Sequence, residues 1–143
     1  MPKYVEENQA ANARLKQLAG KLSAEKLGAK LPNGWTVSDA LLHLGFWDVY
    51  AQELIEEWKK SGYKPAISQI DAVNAGVSGI GQLLDPSLTV KFALEAADGA
   101  DARVASLAPE LAAAIEAAGK PQFLYRSRHR NHHLELIEKA LGI

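Results

Sequence analysis

Apolar residues recur along this chain at three- and four-residue steps almost from end to end, and strictly alternating runs are absent. The first spacing keeps side chains on one face of an α-helix; the second would have marked half-buried strands. Ala11, Leu15, Leu18 and Leu22 set the phase of a first helix from about Pro2 to Leu22. Proline at position 2 suits a helix start. "GAKLPNGW" then concentrates Gly, Pro and Asn-Gly, which reads as a loop. Thr36 with Asp39 three residues on is a capping box in which Asp replaces Glu or Gln. The helix it opens runs to Lys60 and stops at Gly62. On this helix Ala40, His43, Trp47, Tyr50, Leu54 and Trp58 fall on one stripe.

The segment "KPAISQIDAVNAGVSGIGQLLDPS" keeps Ile70, Val73, Val77, Ile80 and Leu84 in helical step, but its glycines weaken the helix. It predicts a short helical crossover over residues 68–84. Asp85-Pro86-Ser87 is a stop and a fresh cap. The helix beyond it buries Val90, Leu94, Ala97, Ala100, Val104 and Leu107. Pro109 begins a short Ala-rich turn that "AGKP" closes. A last helix runs from about Gln122 to Leu141, its buried stripe set by Leu136, Ile137 and Ala140; stepping back along it lands on His133 and His129. Four principal helices with short connections and one crossover make an all-α chain, a four-helix bundle in a single domain spanning residues 1–143.

Composition narrows the function. The chain has 143 residues, 48% hydrophobic and 23% charged, with net charge -1. That balance suits a globular domain and lacks the basic footprint of a nucleic-acid binder. No stretch approaches the ~20 apolar residues that span a bilayer, and the polar start has no secretory pattern, so the expected location is cytoplasmic. There is no cysteine, which removes thiolate catalysis, cysteine-based zinc sites and disulfides together.

Histidine carries the chemical signal. Three of the four histidines, His129, His132 and His133, lie within five positions of the last helix. Residues at i and i+4 project side by side, the spacing that one metal ion accepts. His43, phased toward the core on the second long helix, is the only histidine left to supply a third ligand. Three neutral imidazoles without cysteine suit a borderline divalent ion such as zinc, nickel, iron or copper, and leave a position open for water or substrate. Any one of these histidines alone is more simply a core residue. Three buried imidazoles without partners would each cost about 1–3 kcal/mol, which favours a shared role. His132 falls at the stripe's edge and is expected to be a bystander. Because imidazole ordinarily titrates near pH ~6.5, bound metal is expected to leave below about pH 6.

Trp35, Trp47 and Trp58 stand at core spacing, although Trp47, one turn from His43, can also wall a pocket. Of the arginines in "RSRHR", most are expected in solvent, with Arg126 near enough to His129 on the wheel to reach an anionic substrate. "GVSGIG" lacks the preceding strand of a phosphate loop, and no serine sits in a nucleophile motif.

"GWTVSDALLHLGFWD", "IDAVNAG" and "HRNHHLELI" together resemble the signature segments of the DinB/YfiT-like metalloenzymes, in order and over nearly the whole chain. The resemblance implies an up-down-down-up bundle and a metal site of His43, His129 and His133. It also implies, for some relatives, mycothiol or bacillithiol as a low-molecular-weight thiol cosubstrate in transferase or maleylpyruvate isomerase reactions. Asp71 and Asn74 match the crossover motif without a derivable role. The expected function is a metal-dependent enzyme, of hydrolase or thiol-dependent transferase type, acting on a small molecule with Trp47 and Arg126 at its substrate. Metal or small-ligand sequestration on the same bundle is the alternative, a purely structural protein a third. A homodimer is compatible with all three.

Overall fold

The computed structural model describes residues Met1–Ile143 and contains no β-strand. Its seven helices are α1 (Lys3–Ala19), α2 (Ala24–Leu27), α3 (Val37–Ser61), α4 (Ile70–Gly81), α5 (Pro86–Ala105), α6 (Pro109–Ala117) and α7 (Arg126–Leu141). The longest, α3, begins where the capping box requires. The Asp39 amide donates to Thr36 Oγ1 at 3.0 Å, and the Thr36 amide donates to Asp39 Oδ2 at 2.9 Å. These bonds satisfy two polar groups that a bare helix start would leave unpaired. Gly62 ends α3 at φ 78°, a left-handed conformation that glycine adopts without strain. At α5, Asp85 accepts from the Ser87 amide at 2.9 Å and Pro86 occupies the first turn.

Three boundaries differ from the sequence reading. The first helix closes at Ala19, and α2 forms between the expected end of that helix and the expected loop because Ser23 caps it by accepting from the Lys26 amide. The last helix starts at Arg126, four residues later than expected, since Pro121–Phe123 winds into a separate 3-10 turn.

α3 packs on α5 and α7, α1 packs on the same two helices, and α4 lies against α3. The packing leaves two apolar clusters. One joins Leu15 and Leu18 of α1, Leu41 and Leu44 of α3, Ala93 and Ala97 of α5, and Leu134 and Ile137 of α7. The other joins Ile55 and Trp58 of α3, Val104 of α5, Ile115 of α6 and Leu124. Each fully buried aliphatic side chain contributes about 1.5–3 kcal/mol by leaving water.

A polar layer separates the clusters. Asp48 of α3 accepts from Arg126 Nε at 2.8 Å and from Arg130 Nε at 3.1 Å. Arg130 also donates to both oxygens of Asp101 on α5, at 2.7 and 2.9 Å. Asn8 of α1 donates to the Leu124 carbonyl at 2.7 Å and accepts from the Ser127 amide at 2.8 Å. Arg130 is 0% exposed. This overturns the expectation that most of these arginines face solvent, and it resets the phase of α7. The buried stripe is Arg126, Arg130, Leu134 and Ile137, while Leu136 and Ala140 face outward. Two acids from other helices make the burial of Arg130 affordable, and no local pattern in α7 signals them.

α3 and α5 approach closely where small residues meet. A Cβ added at Gly45 would lie 2.9 Å from the Phe92 ring and 3.3 Å from the Ala93 Cα. Gly45→Ala therefore destabilises the fold by about 1–3 kcal/mol, the usual cost of overpacking. At Gly99 the nearest atoms belong to the flexible end of Gln52. Gly99→Ala gains helix propensity of about 1 kcal/mol against a displaced side chain. Urea denaturation of both variants should show a clear loss for the first and a change under about 1 kcal/mol for the second.

Candidate metal centre

His43 comes from the second turn of α3, directly downstream of its cap, and His129 and His133 come from successive turns of α7. The α7 histidines lie along one edge of its buried stripe, His129 about 60° from Arg126 and His133 about 60° from Arg130 on the wheel. They are therefore half-buried at the edge of the packing, whereas His43 is 7% exposed. The three ring centroids stand 4.7 to 4.9 Å apart, close to an equilateral triangle. One ligand atom from each falls within 4.8 Å of the others, and His43 Nε2 lies 2.9 Å from His129 Nε2.

The 2.9 Å pair already stands at a separation that donors around one ion adopt. Bonds of 2.0–2.1 Å place adjacent nitrogens about 2.9 Å apart in an octahedral shell and about 3.3 Å apart in a tetrahedral one. His43 Nδ1 is buried with no hydrogen-bond partner. His132, adjacent in sequence, is exposed and outside the group, as the helical phase requires. The structure thus brings His43, His129 and His133 together as a set that could hold a metal ion.

Electrostatics prepares them for it. Burial lowers the His43 pKa to about 4, against an opposing pull from the Asn74 side chain. His133 is lowered to about 4 by burial and by the neighbouring His43 and His132. His129 falls to about 2, through burial first, then the charge of Arg126 and the other histidines. All three are neutral near pH 7, the form in which imidazole binds metal. This corrects the expected loss of metal below about pH 6: proton competition at these buried nitrogens begins well below that, so zinc should remain bound at pH 5.

The same shifts set a sign for stability without metal. An unfolded His43 takes a proton near pH 6.5, the folded one only near 4. Between these values the unfolded state binds more protons, so stability falls as pH drops through the window and is unaffected by this group above it. The slope is about 1.4 kcal/mol per pH unit. From pH 7 to 5 the metal-free protein should lose about 2 kcal/mol more than His43→Gln, as urea denaturation at the two pH values would show; equal losses would contradict the assignment.

A cavity of about 780 Å³ opens beside the triad, and all three histidines line it. Three aromatic residues of α3 hold its outer wall. Trp47 Nε1 donates to Asn74 Oδ1 at 2.8 Å, the Tyr50 hydroxyl pairs with Ser68 Oγ at 2.6 Å, and Trp58 Nε1 donates to the Lys64 carbonyl at 2.9 Å. The segment from Lys64 to Asn74 is thereby pinned across α3. Trp47 is a wall of the cavity rather than core, while Trp58 belongs to both. Asn74 gains the role the sequence left open; Asp71 is exposed and has no side-chain partner. Arg126 lines the same cavity. Lys120, Tyr50 and Phe123 also line it, and the sequence reading had not assigned them to a site.

Comparison with protein families, with curated proteins and with solved structures finds no match to this chain. No helix is long and apolar enough to cross a membrane.

Proposed function

We propose that this protein is a divalent-metal enzyme of the DinB/YfiT-like kind, with His43, His129 and His133 as ligands and a small-molecule substrate in the adjoining cavity. The observation that carries the reading is the opening of the triad onto that cavity. A site that only sequesters metal gains nothing from an aromatic-walled chamber of about 780 Å³, a size typical of small-molecule sites, and turnover separates an enzyme from a site that only holds a small ligand. The fold adds support. From N- to C-terminus, α3 and α5 pass from the first apolar cluster to the second, whereas α1 and α7 run from the polar layer into the first. That order supports the up-down-down-up path that the resemblance implies.

The donor set fits zinc, nickel or iron: three neutral imidazoles, with no thiolate anywhere in the chain. When bound, the ion would supply a Lewis acid and a site at which water or an external thiol is held deprotonated near neutral pH. The chain's own residues do the rest. α3 and α7 fix the ligand directions, Asp48 holds Arg126 against the cavity wall, and Trp47 closes the wall by its bond to Asn74. The proposal places the protein in the cytoplasm, acting on neither nucleic acid nor membrane, with a homodimer as its assembly. Elemental analysis of purified protein tests it first, followed by hydrolysis and thiol-transfer assays with and without bacillithiol or mycothiol. One equivalent of metal and a metal-dependent turnover are expected; stoichiometric metal without any turnover across the panel would favour sequestration.

A further inference from the structure

Eighteen residues line the cavity beside the triad, and none is an aspartate or glutamate. Its only full charges are the cations Arg126 and Lys120. Arg126 is 5% exposed and commits two of its three guanidinium nitrogens to the protein: Nε to Asp48 and Nη1 to the Gln122 carbonyl at 3.0 Å. Its third nitrogen, Nη2, is buried with no partner. A buried guanidinium N–H left unpaired is costly, so its persistence marks a place kept for an acceptor.

The charge balance points the same way. In the polar layer Asp48 and Asp101 offset Arg126 and Arg130, two acids for two bases. Nothing there remains to offset further positive charge at the cavity. Lys120 adds one charge, and a divalent ion on three neutral imidazoles would add two. In a chamber walled by Trp35, Trp47 and Phe123, such charge is poorly screened and attracts an anion.

We infer that the cavity takes an organic carboxylate with a ring-sized apolar body, its carboxylate drawn to Arg126 and Lys120 and its body laid against the aromatic wall. A carboxylate suits the arrangement because one of its oxygens can accept a charge-assisted hydrogen bond from the free Nη2 of Arg126 while its charge is drawn to Lys120. The mostly apolar lining also leaves little to solvate a more highly charged group. This deepens the functional reading above, naming the substrate class of the same site, yet it rests on side chains that are present whether or not metal is bound.

The test uses the full chain, first stripped of metal by chelation and then loaded with zinc, and three probes of one shape: 2-naphthoate, 2-naphthamide and 2-naphthylmethylamine. Calorimetric titration of the metal-free protein should show the carboxylate binding at least tenfold more tightly than the neutral amide, and the ammonium not at all. Arg126→Gln should reduce the preference for acid over amide to less than twofold. Lys120→Gln, which touches no buried network, should reduce it severalfold and serves as the decisive variant if Arg126→Gln fails to fold. Equal binding of acid and amide by the wild-type protein overturns the inference, as does full preference in a folded Arg126→Gln. Failure of the metal reading looks different: zinc titration shows no binding while the carboxylate preference stands.

Discussion

His133→Ala weakens zinc binding roughly a hundred- to a thousandfold, and His132→Ala leaves it within a factor of about two. The first figure follows from dividing the about 10–16 kcal/mol of a four-ligand zinc site among its ligands, which assigns about 2.5–4 kcal/mol to each. The second follows from position: His132 is exposed on α7 and stands outside the group of three. The pair is a stringent comparison because the two residues are chemically identical neighbours in sequence. Direct titration reads the affinities. Melting curves provide an independent check, since a ligand that binds only the folded state stabilises it by RT ln(1 + [L]/Kd). Zinc should raise the melting temperature of wild type and His132→Ala alike and leave His133→Ala nearly unmoved.

Asp48→Ala is the most damaging single change expected in the packing. Asp48 is 2% exposed, and its two oxygens serve two arginines that are themselves buried. Removing it leaves Arg126 with a backbone carbonyl as its only protein acceptor and Arg130 leaning on Asp101. A buried charge that loses its partner costs about 3–5 kcal/mol, much more than the intact pair contributes over an apolar replacement. A fall of roughly 10 °C in melting temperature is the expected readout for a chain of this size. Surface pairs offer the contrast. Lys91→Ala, which breaks an exposed i,i+4 contact with Glu95, should change stability by less than about 0.5 kcal/mol.

How much of this could be read from the chain depends on the range of the interaction. The start of α3 and its end at Gly62 were legible because the capping box and the glycine act within a turn of themselves. The convergence of His43 with His129 and His133 was legible because the i, i+4 spacing keeps the two α7 histidines side by side whatever the phase of that helix, and the cap fixes where His43 falls on α3. The stripe on α7 was not. Leu136 and Ala140 drew the phase toward themselves, whereas the side chains that are buried include two arginines. A buried arginine reads as a surface residue until its acids are found, and Asp48 and Asp101 lie 82 and 29 residues away. The aromatic stripe on α3 was ambiguous in the same way. Trp47 and Tyr50 are at core spacing, but their polar ends reach Asn74 and Ser68, and only the path of the crossover reveals those partners.

The claim on which the rest depends is that three imidazoles bind one ion. X-ray absorption at the zinc edge, on protein loaded with one equivalent, reads that shell directly. The account predicts three nitrogen donors at about 2.0–2.1 Å with the outer-shell scattering of imidazole rings, and one or more light donors completing the open side. The same spectrum from His43→Gln should lose one imidazole. A shell of oxygens alone, or a wild-type spectrum that His43→Gln leaves unchanged, would contradict it.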